Sequence, residues 1–446
     1  MRPSGSFPSW WAGARPEAGP RVRAGDSVPE VGEAAIPIPR RVEEVDAAWL
    51  TRCLLASDLP EGGRVRSLHR EPLGEGQGFM GETFRLHLEF EGAATGAPRS
   101  LILKLPSRQR ATRARAELLG LYEREVLFYT ELTREVPIAL PRCHYAAMDP
   151  NPSGPDAARK AEQAVADMPV WRLRALLWLG LGLVRLSRRR YVLLLEDLHE
   201  GVAGDQLGTS TPAQLTRVLE EVARMHARFW DSPRILDFPW LPQLDSGARL
   251  VRAWYRRSRS DFLRRFGASL PAPLRFLLDS IESGLPGLLE ALSSAPATLL
   301  HGDLRLDNLI FDGRGGGSRV TFLDWQVPSR GAGVYDVVYL LSSSLAPGVG
   351  REEELALLRA YHEALGVNGV RGYSFDACIA DYDRCLLLVL HRMASSLVSV
   401  EYTDPRGEAL LASWVARMVG RVQHAGIDRL ASTLATAAIR RGDESC

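Results

Sequence analysis

A change in hydrophobic period near residue 200 limits the possible folds of this 446-residue chain more than any other feature. Before that point, residues 83–90 (TFRLHLEF) alternate apolar and polar side chains, and residues 100–106 (SLILKLP) and 191–198 (YVLLLEDL) predict two further strands. After it, residues 210–230 begin with a Ser/Thr cap and a proline, and apolar residues recur at helical spacing. The sequence therefore predicts an α+β chain, strand-rich first and helical afterwards, joined near residues 198–205.

Composition and charge are those of an ordinary globular protein. Apolar residues make up 46% of the chain, and the net charge of +1 gives no overall attraction to nucleic acid, so no nucleic-acid partner is expected. Five scattered cysteines without a CxxC spacing indicate reduced thiols in a cytoplasm and no zinc site. No signal-peptide core and no membrane-spanning run is predicted, and residues 1–39, rich in Pro, Gly, Arg and Ala, are predicted to be a disordered extension.

Residues 299–313 (LLHGDLRLDNLIFDG) place a polar loop between two apolar runs. The loop could be a solvated acidic turn, or its side chains could converge on a charged ligand. The D-x-x-x-x-N spacing favours the second interpretation, because phosphoryl-transfer catalytic loops carry an aspartate and an asparagine at this distance. The polar residues of the loop are His301, Asp303, Arg305, Asp307 and Asn308.

In this interpretation each residue has a distinct role. Asp303 would orient the acceptor hydroxyl and take its proton, and Asn308 would supply an amide oxygen to Mg²⁺. Asp324, which closes the predicted strand VTFLD, would be the second metal ligand. Arg305 would neutralise the transferred phosphoryl group, and His301 would brace the loop rather than take part in the chemistry.

A glycine-rich stretch upstream, LGEGQGFMGETF, carries Gly76, Gly78 and Gly81 in a GxGxxG pattern. The pattern alone is weak evidence, since glycine-rich turns are common. In a dinucleotide-binding unit a helix would follow the glycines, whereas here an alternating strand follows at once. A strand, a glycine loop and a returning strand predict a flap whose backbone N–H groups cover phosphates.

Lys104 and a neighbouring glutamate are candidates for positioning a nucleotide. Lys104 is one of only two lysines among 55 basic residues, and its compact ammonium suits a point contact with phosphate oxygens, although it could be an ordinary edge-strand lysine. A buried ammonium needs an acidic partner, and the helix predicted over residues 114–132 offers Glu123 and Glu125. We prefer Glu125, which lies nearer the apolar stripe; a solvated helix charge is the alternative.

Other catalytic motifs are missing from the sequence. There is no GxSxG elbow, no HExxH and no Walker A lysine-serine pair. His226 shares the apolar face of its helix with Val222 and Phe229, and it is predicted to be a core histidine.

Three motifs together resemble those of a known family. HGDLRLDN (301–308), FLDWQ (322–326) and GAGVYDVVYLL (331–341) closely resemble the aminoglycoside phosphotransferase and choline kinase superfamily, and look most like its ecdysteroid-kinase-like, or CHK kinase-like, branch. The resemblance covers roughly residues 65–400. It implies a protein-kinase-like two-lobed fold, with a small antiparallel-sheet N-lobe and a larger helical C-lobe. It also implies ATP- and Mg²⁺-dependent phosphorylation of a hydroxyl on a small molecule.

The resemblance carries over to individual residues. It makes Asp303 the catalytic aspartate and Asp336 a structural aspartate. It implies that Glu196 and Leu198 lie in the interlobe hinge, where backbone groups read adenine. At the position of Arg305 the chain departs from the family, since relatives often have Trp or His there. The metal ligands and the nucleotide-positioning pair that the resemblance implies are Asn308, Asp324, Lys104 and Glu125.

An insert of about residues 151–190 has no counterpart in the resemblance. Within it, residues 171–190 predict a helix whose uncharged centre is too short to span a bilayer and is flanked by arginines. Trp171 and Trp178 suit an interface. Apolar residues occur nearly all round the helix, which favours burial against the small lobe as extra core. A peripheral membrane contact and a lid over a lipid-like acceptor are the alternatives.

The predicted organisation is an N-lobe over residues 40–200 that binds nucleotide and a C-lobe over residues 201–446 that holds the catalytic loop and acceptor site. The predicted enzyme is a cytoplasmic small-molecule kinase. The first alternative is an aminoglycoside or macrolide antibiotic kinase, against which the basic stretch 248–267 argues, because a polycationic aminoglycoside needs acidic walls. A second, of another class, is a nucleotide-binding pseudokinase with a regulatory role. The acceptor and the oligomeric state are not predicted.

Overall fold

The computed structural model describes the chain from residue 36 onward, with gaps. The chain divides into two units, Met1–Pro37 and Ile38–Cys446, and every element below belongs to the second. Most of the predicted disordered extension lies outside the described residues, as do Gly76 and Gly78. The described residues are 36–57, 63–73, 80–92, 96–154, 160, 164, 168–184, 187–208, 210–246, 255–312, 319–396 and 405–443.

A five-stranded antiparallel sheet occupies the first half of this unit. The sheet follows the helix α1 (Ala47–Leu55). Its strands are β1 (Val65–Leu73), β2 (Gly81–Phe90), β3 (Ser100–Pro106), β4 (Cys143–Met148) and β5 (Tyr191–Glu196). The strand order is β1-β2-β3-β5-β4. The alternation in β3 buries Leu101 and Leu103 completely and turns Ile102 and Lys104 to the other face, which borders a cleft.

The helix predicted over residues 114–132 is broken, so that prediction is wrong in its extent. The structure has α2 (Arg110–Leu118) and α3 (Leu121–Leu127), followed by a wider π-helical turn over Phe128–Leu132. Gly120 separates the two helices with φ = 67°, a left-handed conformation that glycine adopts without steric cost. The break lets α3 take its own direction against the sheet.

The insert contains a helix, α4 (Val170–Val184), which packs against α2. Leu173 is buried and Gly180 faces Leu118. The opposite side of α4 is open, however, and Trp171 and Trp178 are each 67% exposed. The prediction that this helix packs on the small lobe holds for the side that contacts α2, and the two tryptophans lie outside that contact.

The rest of the chain is mainly helical. The helix that follows β6 (Val202–Ala203) begins as predicted: Thr211 Oγ1 accepts from Gln214 N at 3.2 Å, Gln214 Oε1 accepts from Thr211 N at 3.0 Å, and Pro212 stands first. The remaining helices are α5 (Pro212–Phe229), α6 (Tyr255–Phe266), α7 (Ala272–Ser293), α8 (Val334–Ser344), α9 (Arg351–Val367), α10 (Phe375–Ser396), α11 (Pro405–Ala425) and α12 (Ile427–Asp443).

Two small sheets lie among these helices and carry the polar loop. β6 pairs with β8 (Leu309–Phe311), which pairs with β9 (Val320–Phe322), and β7 (Ala297–Leu300) pairs with β10 (Ser329–Ala332). The helices pack in pairs, α5 against α9 and α7 along α12.

An antiparallel sheet followed by a helical lobe confirms the predicted α+β, protein-kinase-like fold. The lobe boundaries at residues 40–200 and 201–446 stay predictions. Among the described helices, none has the length and apolar character to cross a bilayer.

Candidate active site

A cleft with a volume of about 390 Å³ lies between the five-stranded sheet and the small sheets. It is bounded by strands β1, β2, β3 and β5, by helix α3, and by the residues around β8 and β9. The fold therefore brings seven predicted site residues, which are spread over 244 positions of sequence from Gly81 to Asp324, to one cavity. These are Gly81, Lys104, Glu125, Glu196, Leu198, Asn308 and Asp324.

Lys104 is the electrostatic centre of the cleft. Its Nζ donates to Glu125 Oε1 at 2.6 Å and to Asp324 Oδ1 at 2.9 Å. Glu123, the competing candidate, instead pairs with Arg189 at 3.1 Å. An ammonium has three N–H donors, so one remains for a further acceptor in the cleft.

The pKa values of Glu125 and Asp324, the two carboxyl groups that share this ammonium, are shifted in opposite directions. Burial would raise the pKa of Asp324, but the charge of Lys104 outweighs it and holds that pKa below its ordinary value. Burial raises the pKa of Glu125 despite Lys104, and the nearby Asp324 charge adds to the rise. The pKa of Lys104 itself is raised, because the two carboxylates outweigh its burial. Asp324 is therefore an anionic oxygen donor in the cleft.

The backbone at Asp324 is unusual and tightly held. Its φ of 62° is left-handed, a conformation that costs a non-glycine residue free energy. On one side, Leu323 N donates to Asn308 O at 2.8 Å. On the other, the buried Trp325 stacks on Phe128 with ring centroids 4.0 Å apart. These flanking contacts fix the direction of the Asp324 carboxylate toward Lys104.

The loop of residues 301–308 brings Asp303 and Asn308 together. Asn308 Nδ2 donates to Asp303 Oδ2 at 3.1 Å and to Asp303 O at 2.9 Å. Since the amide nitrogen is used in this way, the oxygen of Asn308 is the atom of this side chain that can bind a cation. Asn308 lines the cleft, whereas Asp303 and Arg305 are not among the lining residues, and Asp303 is joined to the cleft through its hydrogen bonds with Asn308.

Arg305 is held within the same loop by acidic residues. Its Nε donates to Asp303 Oδ2 at 3.2 Å, and its Nη1 lies 3.9 Å from Asp307 Oδ2. Burial would lower the pKa of Arg305, but the charges of Asp303 and Asp307 outweigh it and raise the pKa. The guanidinium is therefore a permanent cation beside Asp303.

The 301–308 loop is braced by a buried network that the sequence only partly indicated. Asp336 is fully buried and accepts from His301 N at 2.7 Å and from Gly302 N at 3.0 Å. His226 Nε2 lies 3.3 Å from the same carboxylate, and His226 Nδ1 lies 2.8 Å from Tyr361 Oη. His226 is thus in the core, as predicted, and also positions the carboxylate that holds the loop.

The turn within the loop requires glycine. Gly302 has φ = 84°, and a Cβ there would lie 2.2 Å from Val327 O. Next to it, His301 Nδ1 accepts from Asp303 N at 3.3 Å, which leaves Nε2 as the protonated nitrogen that donates to Leu323 O at 2.8 Å. His301 is accordingly used in structural hydrogen bonds, in agreement with its predicted bracing role.

The predicted hinge residues Glu196 and Leu198 line the cleft on either side of Asp197. Asp197 Oδ2 accepts from Arg85 Nε at 2.8 Å and from Ser100 Oγ at 2.6 Å, so β5 is tied to β2 and β3 where it leaves the sheet. The sequence analysis missed this pair. Its only signal was a charged residue inside an alternating strand.

On the C-lobe side, Asp303 is bordered by tyrosines and a second arginine. Burial raises the pKa of Tyr339, whose hydroxyl hydrogen-bonds with Asp303. The ring of Tyr335 lies 5.9 Å from that of Tyr339, and its hydroxyl accepts from Arg392 Nη1 at 2.7 Å. In the part of the chain that the structure describes, Arg392 has no carboxylate partner. Arg305 therefore offsets the charge of Asp303 and Asp307, and Arg392 adds a further cation beside Tyr335.

Comparison with known proteins identifies the family of the chain. A model described as Phosphotransferase enzyme family matches residues 91–374, which is more than half of the chain. No curated protein sequence matches. Three similar solved structures are a choline/ethanolamine kinase family protein from Mesorhizobium loti, a macrolide 2'-phosphotransferase from Brachybacterium faecium and an ethanolamine kinase from Plasmodium vivax.

These three structures share little sequence identity with the chain. The first is 14% identical, with a TM-score of 0.39, covering 83% of this chain and 92% of the other. The second is 14% identical, with a TM-score of 0.36, covering 80% and 98%. The third is 12% identical, with a TM-score of 0.38, covering 78% and 80%.

Proposed function

Because the chain belongs to the phosphotransferase enzyme family, we propose that it transfers a phosphoryl group from ATP to a hydroxyl of a small molecule, with Mg²⁺ as cofactor. One observation carries the proposal: Lys104 lies between Glu125 and Asp324 in a cleft that also contains Asn308. This combination is what an ATP-dependent phosphoryl transfer requires, namely a fixed ammonium for phosphate oxygens and hard oxygen donors for a metal.

The N-lobe residues would hold the nucleotide. Glu125 fixes the Lys104 ammonium, whose remaining N–H would donate to a phosphate oxygen. Gly81 opens β2 at the edge of the cleft, and with Gly76 and Gly78 it would place backbone N–H groups over the phosphates. Main-chain groups of Glu196 and Leu198 would contact the adenine.

The residues present fit Mg²⁺. Asp324 is held ionised by Lys104 and directed into the cleft, and the amide oxygen of Asn308 is not used by Asp303. These two oxygen donors would hold the ion, which supplies charge neutralisation for the phosphates when it is bound.

Asp303 would act on the acceptor. Hydrogen bonds from Asn308 and Arg305 fix its Oδ2, so an acceptor hydroxyl placed against this carboxylate is oriented and can pass its proton to it. Arg305 would offset the negative charge of the transferred group, because its own charge is permanent. These roles agree with the spacing of Asp303 and Asn308.

The charge around Asp303 bears on the choice among acceptors. Arg392, which has no carboxylate partner among the described residues, would disfavour a polycation beside Tyr335, and the basic stretch 248–267 points the same way, so a neutral or anionic acceptor is favoured over an aminoglycoside. The complete set of nucleotide and loop residues argues for an enzyme over a pseudokinase. Membership of the CHK kinase-like branch and a cytoplasmic location are part of the same proposal.

ATP consumption by the full chain tests this function. We would screen sterols, amino alcohols, hydroxyacyl-CoA esters and aminoglycosides with Mg²⁺ present. We expect Asp303→Asn to lower turnover of the best acceptor by about 10²–10⁴, the usual worth of a positioned acid–base group, with ATP affinity nearly unchanged. Asp324→Ala should instead lose Mg²⁺-dependent ATP binding.

The exposed Glu290 on α7 offers a control for the loss of a carboxylate, since Glu290→Gln should behave as wild type. Full turnover by Asp303→Asn would refute the role of Asp303. Mg²⁺-dependent nucleotide binding without turnover of any acceptor would favour the pseudokinase.

A further inference from the structure

The outer side of α4 is an exposed apolar surface. Trp171 and Trp178 are each 67% exposed, Leu179 is 60% exposed and Leu176 is 49% exposed. These side chains lie within two turns of one helix, and large apolar side chains gathered in this way commonly mark a site of interaction. We call this surface, formed by Trp171, Leu176, Trp178 and Leu179, the α4 surface.

The α4 surface is held in place by the folded protein. Leu173, on the inner side of the helix, is 1% exposed, and Gly180 faces Leu118 of α2. A helix anchored along one side presents its other side without further ordering. The entropy cost of docking is therefore small compared with that of a helix that forms only on binding.

The charged residues of α4 itself are both positive. The helix contains Arg172 and Arg174, which are exposed, and no acidic residue. The guanidinium of Arg172 lies 5.1 Å from the centre of the Trp171 ring, so positive charge borders the apolar surface directly.

We propose that the α4 surface docks the protein on the face of an anionic lipid bilayer. Tryptophan rings suit the headgroup region, and arginines beside an apolar helix face are attracted by anionic lipids. A second copy of the chain would fit less well, because two such surfaces would bring like charges together. Neither tryptophan is among the residues that line the cleft.

Co-sedimentation of the full chain with vesicles tests the proposal. The probes are phosphatidylcholine vesicles and vesicles of equal parts phosphatidylcholine and phosphatidylglycerol, both at low salt. We expect wild type to sediment with the anionic vesicles, and its tryptophan emission to shift to shorter wavelength. The Trp171→Ala/Trp178→Ala double variant should partition roughly tenfold less. Arg172→Gln/Arg174→Gln should weaken binding and reduce its salt dependence.

The matched control is Phe276→Ala, because Phe276 is an aromatic residue that is 66% exposed on α7, away from the α4 surface. It should bind as wild type does. Equal binding by the double tryptophan variant, or no binding of wild type to anionic vesicles at low salt, would overturn the proposal. A dimer in solution that the double tryptophan variant abolishes would overturn it in favour of self-association. None of these results depends on kinase activity.

Discussion

Replacing Asp336 by Asn tests how the 301–308 loop is held. The carboxylate accepts from His301 N at 2.7 Å and from Gly302 N at 3.0 Å, and His226 Nε2 lies 3.3 Å away. In all three contacts the acceptor is the carboxylate of Asp336, which is fully buried. An amide has one oxygen, so it can keep the two contacts at Oδ2 but must turn its NH₂ group toward Gly302 N–H.

The expected loss of stability in Asp336→Asn follows from these three contacts. Losing the hydrogen bond from Gly302 N to a charged acceptor costs roughly 1.5–3 kcal/mol. Leaving the new NH₂ group and the Gly302 N–H facing each other without an acceptor adds roughly 1–3 kcal/mol. We therefore expect Asp336→Asn to lower the free energy of unfolding by about 3–5 kcal/mol, the range found when one partner of a buried charged pair is removed. Turnover should fall with it, because the loop that carries Asp303 loses an anchor.

Urea unfolding followed by tryptophan fluorescence measures the stability change, with Glu290→Gln on the exposed surface of α7 as the control. Steady-state kinetics supply a second measurement. Because His226, His301 and Gly302 do not line the cleft, kcat should fall more than the KM for ATP rises. A stability change under about 1 kcal/mol would refute the argument, since the Gly302 contact alone exceeds it.

Two further predictions concern other ionisable groups, Lys104 and His391. Lys104→Arg should raise the KM for ATP and lower kcat, because a planar guanidinium cannot take the point contact between Glu125 and Asp324. Lys160→Arg is the matched control, and unchanged kinetics in Lys104→Arg would make Lys104 an ordinary strand lysine. Burial lowers the pKa of His391 to about 3, so as the pH falls below about 6.5 the unfolded state takes up a proton first and stability declines down to about pH 3. His391→Phe should abolish about 2 kcal/mol of the loss between about pH 7 and pH 5, measured by urea unfolding at both values; an identical loss in the variant would contradict this.

Local patterns in the sequence predicted the elements that hold the site. The alternation in SLILKLP placed Lys104 on the opposite face from the buried leucines, and helical spacing favoured Glu125 over Glu123. The structure brings Lys104 and Glu125 within 2.6 Å. Both inferences depend on which face of one element is apolar, and this information is local.

Such local patterns could not predict the contacts between distant segments. Asp197 and Arg85 are separated by 112 positions, and nothing in either strand specifies the other. The same holds for α4: its sequence is apolar nearly all round, and only the position of α2 decides which side is covered. Gly120 was visible as a glycine in a helical pattern, but whether such a glycine continues or breaks a helix depends on the packing of the segments on either side.

The position of Asp324 depends both on a local sequence motif and on contacts between distant segments. The motif FLDWQ marked the residue, but not its left-handed backbone, which costs free energy and persists only where the surroundings fix it. Here Leu323 is fixed by hydrogen bonds to Asn308 and His301, and Trp325 is fixed by stacking on Phe128. These partners come from two other segments of the chain, the 301–308 loop and the helical turn over Phe128–Leu132. The carboxylate therefore points at Lys104 only once both lobes have folded, so the cleft acquires its charge arrangement as a property of the assembled fold.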